Sequence, residues 1–386
     1  MKKTIGILLS ATITLFALSG CTNTSTQTKT QTKPTVKVGV IAPLSGPGAA
    51  YGEDVVNTYK YTLEKMKQEG KMKDYDLEFI YEDGKCNGKD ATSAAQKLVT
   101  VDKVDMVLGG ICSAETLAAA KVAQAYQVPI LSPASSSPEI SKFGEGVWRF
   151  YSDINQANLV AGYLNDKDSQ NIALLYENTD YAVDYIKTFK TLYKGNVLID
   201  EKINGDERDF GIIAKKIAKE IQTLDAVIMI NGGTDSLIIG IINKFDQEGV
   251  LQNFKGEFMG SDTLFSSSIL DAVGSKMEGF LGATLPDDRS TYGSKVESMM
   301  SEFKTQYGIK GVDFYIILYQ EAINLLTDMF DAGNLDSQSI GAYLKLIDQE
   351  NPREGYFGNY YFQGTDAQGL NFVFKKIVNG KPEFIK

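Results

Sequence analysis

The chain of 386 residues contains no histidine, and that absence removes much chemistry. Without imidazole there is no Ser-His-Asp or Cys-His nucleophile pair, no histidine general acid or base and no imidazole-ligated zinc. Catalysis would fall to carboxylates, Lys, Tyr or Ser alone. The best such match is Ser301 with Lys304, an S-x-x-K spacing. The S-D-N and K-T-G elements that make it catalytic are missing. The pair reads as exposed positions of an amphipathic helix over 292–307, and no enzyme is expected. The glycines of 46–52 are spaced G-x-G-x-x-x-G, which is neither a dinucleotide fingerprint nor a phosphate loop, so no nucleotide or other cofactor is expected. A net charge of −10 argues against nucleic acid, whose phosphates need a basic surface.

What remains is chemistry of recognition. Two serine-rich stretches stand out: Gly109-Gly110-Ile111-Cys112-Ser113-Ala114-Glu115-Thr116 and Ser132-Pro133-Ala134-Ser135-Ser136-Ser137-Pro138-Glu139. Ser113 suits a helix N-cap, and Ser136 with Glu139 has capping-box spacing, with Pro138 tolerated in a first turn. Simple capping would explain both. Two serine-rich helix N-termini side by side would also hold a carboxylate without a formal positive charge. Three later turns, at Asn178–Tyr181, Asn231–Asp235 and Gly260–Thr263, offer an aromatic and carboxylates that could face an ammonium group.

These loops need a scaffold, and the patterning supplies one. Short apolar strands (36–42, 77–82, 105–108, 128–131) alternate with helical periodicity (52–69, 90–102, 114–126). After a junction near 149–153 the alternation resumes, with helices over 154–166, 181–193, 209–222 and 235–249 and strands over 171–176, 196–203, 225–230 and 256–261. Such alternation implies parallel sheets covered on both faces. The serine-rich loops and the later turns then fall at the carboxyl ends of strands, where open α/β sheets bind ligands. Two helices, 292–307 and 313–331, and a β-rich tail complete the chain.

The first residues read as an export signal: Lys2 and Lys3, then a largely apolar stretch of 14 residues over 5–18, too short to span a bilayer and suited to a signal core. It ends in Leu18-Ser19-Gly20-Cys21, which resembles a bacterial lipobox, with Cys21 lipidated. Residues 22–35 hold seven Thr and lack the apolar groups to bury a core, so 21–35 reads as a disordered tether. Removing residues 1–20 leaves a net charge of −12. Cys86 and Cys112 form an even pair beyond two strand ends that parallel pairing would bring together. A disulfide there would add about 3–4 kcal/mol through lost unfolded-chain entropy; two free thiols or a metal site are the alternatives.

KVGVIAPLSGPGAAYGED, EDGKC, GGICSAET, ILSPASSSPE and GEFMGSD, in that order, resemble the branched-chain amino-acid-binding proteins of ABC importers, a class of type I periplasmic binding proteins. The resemblance covers nearly all of 36–386. It implies two doubly wound parallel-sheet α/β lobes joined by a three-crossing hinge, with lobe 1 at 36–152 plus 285–354, lobe 2 at 153–284 plus 355–386, and crossings near 152, 285 and 354. It implies a Cys86–Cys112 disulfide. It places Ser113, Ala134 and Ser136, with Ser135 between them, where the first lobe holds a ligand carboxylate. Tyr51 matches a cleft aromatic, Tyr181 a Tyr covering the ligand, Asp262 an acidic partner of the ammonium and Phe314 an apolar wall. Thr234 stands where the aliphatic binders carry Tyr, which points to a wider or more polar pocket. The implied protein is an exported solute-binding lipoprotein that captures an amino acid by hinge closure and delivers it to ABC permease subunits. A sensing protein of the same fold, or a binder of amides, urea-like molecules or aromatic acids, are its alternatives.

Overall fold

The chain is described by a computed structural model over residues 33–286 and 289–385, the side chains of 153 and 289–295 excepted. The expected signal segment 1–20, the lipidation residue Cys21 and the tether up to residue 32 lie outside the described residues. Thr35, expected at the tether's end, already belongs to the first strand.

The first half runs β1 (Thr35–Ala42), α1 (Ala49–Gln68), β2 (Asp76–Asp83), α2 (Gly88–Lys97), β3 (Met106–Gly109), α3 (Ser113–Ala125), β4 (Ile130–Ser132) and β5 (Val147–Arg149). The second repeats the pattern as α4 (Asp153–Asp166), β6 (Asn171–Glu177), α5 (Asp180–Leu192), β7 (Asn196–Ile203), α6 (Gly211–Glu220), β8 (Ala226–Ile230), α7 (Asp235–Gln247), the short α8 (Val250–Asn253), β9 (Glu257–Gly260), α9 (Ser267–Val273) and β10 (Leu281–Thr284). Then come α10 (Arg289–Tyr307), α11 (Asp313–Asp331), α12 (Ser337–Lys345), β11 (Arg353–Gly355), β12 (Gly358–Gln363), β13 (Asp366–Gln368), β14 (Val373–Val378) and β15 (Lys381–Phe384).

Two sheets result. One is ordered β11-β12-β13-β5-β4-β3-β1-β2 and the other β15-β14-β10-β9-β8-β6-β7. In each, the parallel strands follow the same 2-1-3-4-5 order, so the switch points, where helices leave in opposite directions, lie at β1/β3 and β6/β8. The strands are near-continuous apolar runs because both faces are covered. In β1, Val36, Val38 and Val40 pack with α1 and α11 while Ile41 faces α2 and α3, the two-residue period of a pleated strand. The second sheet is covered by α6, α7 and α9 on one face and by α4 and α5 on the other. Most of α11 is buried around its circumference, as its nearly continuous apolar sequence requires.

One expected boundary moves. Residues 355–368, assigned by resemblance to the second lobe, hold the end of β11 with β12 and β13 and belong to the first sheet, where Asp366 pairs with Arg149 of β5. The third crossing therefore runs between β13 and β14, at 369–372, rather than near 354. The cause is pairing at a sheet edge, which no local pattern reveals. The helix expected over 90–102 also differs: α2 ends at Lys97 and a π-helical turn, Leu98–Asp102, follows.

Candidate ligand-binding cleft

The carboxyl ends of both sheets face one another, and a cavity of about 60 Å³ lies between them. The first lobe lines it with Tyr51 of α1, Ile111, Cys112, Ser113 and Ala114 at the start of α3, Ala134 and Ser136, and Tyr315 of α11. The second contributes Thr179, Asp180 and Tyr181 at the start of α5, Gly232, Gly233 and Thr263. Several lining residues open helices, whose first N–H groups lack intrahelical partners. Among the described residues, no Lys or Arg lines the cavity.

The two serine-rich loops are stitched into one unit. Ser113 Oγ accepts from the N–H groups of Ser136 (3.3 Å) and Ser137 (3.1 Å). Ser135 Oγ donates to the carbonyl of Gly110 (2.9 Å) and lies 2.6 Å from Thr116 Oγ1. Ser135 is thus a buried brace behind the cavity rather than a lining residue. The expected caps change accordingly. Cys112 occupies the N-cap position of α3 while Ser113 spans the loops, and Ser137, not Ser136, accepts from the N–H of Glu139 (3.2 Å) to cap a five-residue 3-10 turn, Pro138–Lys142.

Beneath the loops lies Glu115, fully buried. Its carboxylate accepts from the N–H groups of Cys86, Ile111 and Cys112, each at 3.0 Å. Gly84 and Gly110 make room for it, since a Cβ at 84 would stand 2.3 Å from Oε1. Burial pushes this carboxyl up to about 7 against the three N–H donors. Cys86 and Cys112 are joined in a disulfide, their Cα atoms 5.1 Å apart.

On the opposite side, behind the lining residues Tyr181 and Tyr315 and not itself lining the cavity, Asp262 is wholly buried in a 3-10 turn, Asp262–Phe265. Tyr315 Oη (2.8 Å), Tyr151 Oη (3.2 Å), Gln156 Nε2 (3.2 Å) and, at a long 3.5 Å, Tyr181 Oη donate to it. Burial raises its carboxyl above the ordinary range, opposed by the bonds from Tyr315, Gln156 and Tyr151. Every one of these donors is uncharged. Burial also holds Tyr51 and Tyr315 far above ordinary phenol values, so both present neutral hydroxyls.

Besides Ser135 and Asp262, which lie behind the lining, two further expected site residues, Phe314 and Thr234, do not line the cavity. Phe314 faces the core, stacked 5.7 Å from Tyr151, and its neighbour Tyr315 takes the wall. Thr234 donates its hydroxyl to Glu177 (2.6 Å), whose other oxygen accepts from the N–H of Gly232 (2.5 Å). Glu177 thereby shapes the turn of which Gly232 and Gly233 line the cavity. Gly232 has to be glycine there, because a Cβ would come within 2.1 Å of Thr179 Oγ1. Tyr315, Tyr151 and Gln156 escaped sequence reasoning because a polar group within an apolar helix, or at a chain crossing, carries no local signal. Asp180 and Thr263 lay within turns already singled out.

Comparison with known proteins agrees with this architecture. A family model described as periplasmic binding protein matches residues 35–370. The Leu/Ile/Val-binding protein of Escherichia coli K12 is 27% identical over 252 residues, covering 64% of this chain and 66% of that protein, just under two thirds of its length. Among solved structures, the branched-chain amino acid transporter substrate binding protein of Streptococcus pneumoniae in complex with isoleucine superposes with a TM-score of 0.79 at 22% identity, covering 90% of this chain and 98% of that one. A solute binding protein of an ABC transporter from Rhodopseudomonas palustris in complex with 3,4-dihydroxybenzoic acid gives 0.77 at 19%, covering 91% and 96%. At these identities the structural likeness concerns the fold.

Proposed function

Because the chain belongs to the periplasmic binding protein family, we propose that it is the capture subunit of an ABC importer, taking an amino acid into the cleft between its lobes and passing it to permease subunits. The observation that carries this reading is the polarity of the cavity. One wall is the start of α3 with Ser113 and Ser136, the other is Asp180, with Asp262 behind Tyr181 and Tyr315. A helix N-terminus ringed by hydroxyls suits a carboxylate. A buried carboxylate dressed only by neutral donors gains from an ammonium group. An α-amino acid carries both charges at that spacing.

Closure of the lobes is part of the proposal. The first lobe takes the carboxylate, and approach of the second brings Tyr181 and Asp262 over the ammonium. A ligand shifts the lobes only through contacts it makes better in the closed form. The three tyrosines of the cavity favour a second occupant, an aromatic acid, but it would leave Asp262 without a cation.

A thermal-shift screen of the protein against the twenty amino acids, urea, short amides and benzoates tests the reading. A ligand at a hundredfold its Kd adds about 2.7 kcal/mol, a rise of a few degrees for a protein of this size. A rise confined to amino acids supports the proposal. A rise confined to benzoates or amides overturns the ligand class and keeps the capture role.

A further inference from the structure

Ser137 is fully buried and all its polar atoms are engaged. Its N–H donates to Ser113 Oγ (3.1 Å), its carbonyl accepts from Arg149 Nη1 (2.6 Å), and its hydroxyl accepts from the N–H of Glu139 (3.2 Å). Those three partners belong to the first lobe. The hydroxyl then donates to the carboxylate of Asp184, which stands on α5 in the second lobe. Beside it, Lys187 of α5 faces Glu139 at 3.8 Å. A second seam joins the N–H of Ser267, opening α9, to the carbonyl of Gly311 (3.1 Å). Asp54 of α1 holds that loop by accepting from the N–H of Gly311 (2.7 Å). Of these residues only Ser113 lines the cavity; neither Ser137 nor Asp184 does.

We propose that Asp184 is a positioning residue for ligand capture: with Ser137 it forms a clasp between the lobes that sets how tightly the closed cleft holds its occupant without choosing which occupant enters. The inference rests on the reading of the cleft as one that closes. Opening would carry α5 away from the Ser137 turn and return both groups to water, so the bond belongs to the closed form alone. Extra stability of the closed form multiplies the affinity of every ligand by one factor. The Lys187–Glu139 pair is solvent-exposed and adds little. The Ser137–Asp184 bond is charge-assisted and half-buried, and carries the larger share. Ser137 also ties the clasp to the carboxylate loop, since its backbone holds Ser113 and Arg149.

The test compares the parent with Asp184→Ala, Ser137→Ala and the double variant, using calorimetry and stopped-flow binding of leucine, valine, threonine and alanine. Ser137→Ala removes only the hydroxyl and leaves the backbone bonds to Ser113 and Arg149. Each single variant is expected to weaken every amino acid that binds by the same factor, about tenfold, through faster dissociation. The double variant should be no worse than either single one. Unchanged affinity, a factor that differs between ligands, or additive losses would overturn the clasp. If none of the four binds, these side chains are excluded while the twenty-amino-acid screen decides the ligand class, and small-angle scattering of the unliganded proteins judges the clasp. A larger radius of gyration in Asp184→Ala than in the parent supports it, and equal radii overturn it.

Discussion

At the scale of the residue, Asp262 shows how a buried carboxylate can be surrounded by neutral donors alone. Its carboxylate is out of water and meets three phenols and an amide. Burial raises its pKa above 3.8, so between 3.8 and that raised value the unliganded folded protein holds a proton that the unfolded chain lacks. The contribution of this group to stability therefore rises as pH falls through that window. An ammonium ligand reverses the balance by favouring the ionised form. Amino-acid affinity should fall as pH drops through the raised value, and Asp262→Asn should cost at least tenfold in Kd, about 1.4 kcal/mol, and flatten the slope. Calorimetry over a series of pH values reads both effects, and an Asn variant with parental affinity and slope would remove Asp262 from the mechanism. The position of Asp262 was legible because it follows a strand within a turn the sequence marks out. Tyr315 was not: a phenol in the apolar helix α11 reads as core, and the neighbouring Phe314 drew the assignment.

At the scale of the element, most strands and helices stand within a few residues of where hydrophobic periodicity places them, because burial on both sheet faces leaves little choice of period. The serine-rich loop was legible as polar helix-start chemistry, but its cap slipped by one residue. Ser137 precedes Pro138 directly and closes a 3-10 turn only five residues long. Its geometry is governed by Arg149, a wholly buried cation whose guanidinium reaches Asp366 (2.5 Å), the carbonyl of Ser137 (2.6 Å), Ser141 (2.8 Å) and Ser152 (3.1 Å). Arg149 thus joins the loop to the first crossing and to β13. Arg149→Ala should cost about 3–5 kcal/mol, since it strands Asp366 beside a vacated cavity. Adding Asp366→Ala should cost little more, because the pair acts as one unit. Denaturant unfolding of the three variants checks this, and additive losses would contradict it. A contact across 217 residues of sequence is what patterning cannot show, which is why β12 and β13 were assigned to the wrong lobe.

At the scale of the whole molecule, both sheets repeat one strand order, and the cleft lies where the two sets of carboxyl ends meet. The Leu18–Cys21 motif resembles a lipobox, and lipid attachment through Cys21 is a proposal that one substitution tests. Cys21→Ser should move the protein from the membrane to the soluble fraction of cells, read by fractionation, and retention on membranes would place the attachment elsewhere. The discontinuity of the lobes has a separate consequence. The first sheet takes β11 to β13, and the second takes β14 and β15, from the last stretch of the chain. A polypeptide delivered from its amino end, by a ribosome or through a narrow pore, can complete neither half until nearly all of it has emerged. Joining such distant segments costs little at equilibrium, because loop closure grows only slowly with length, but it delays folding. Consecutive domains can lock one by one as they appear. This chain stays threadable almost to its last residue, and then both halves finish together.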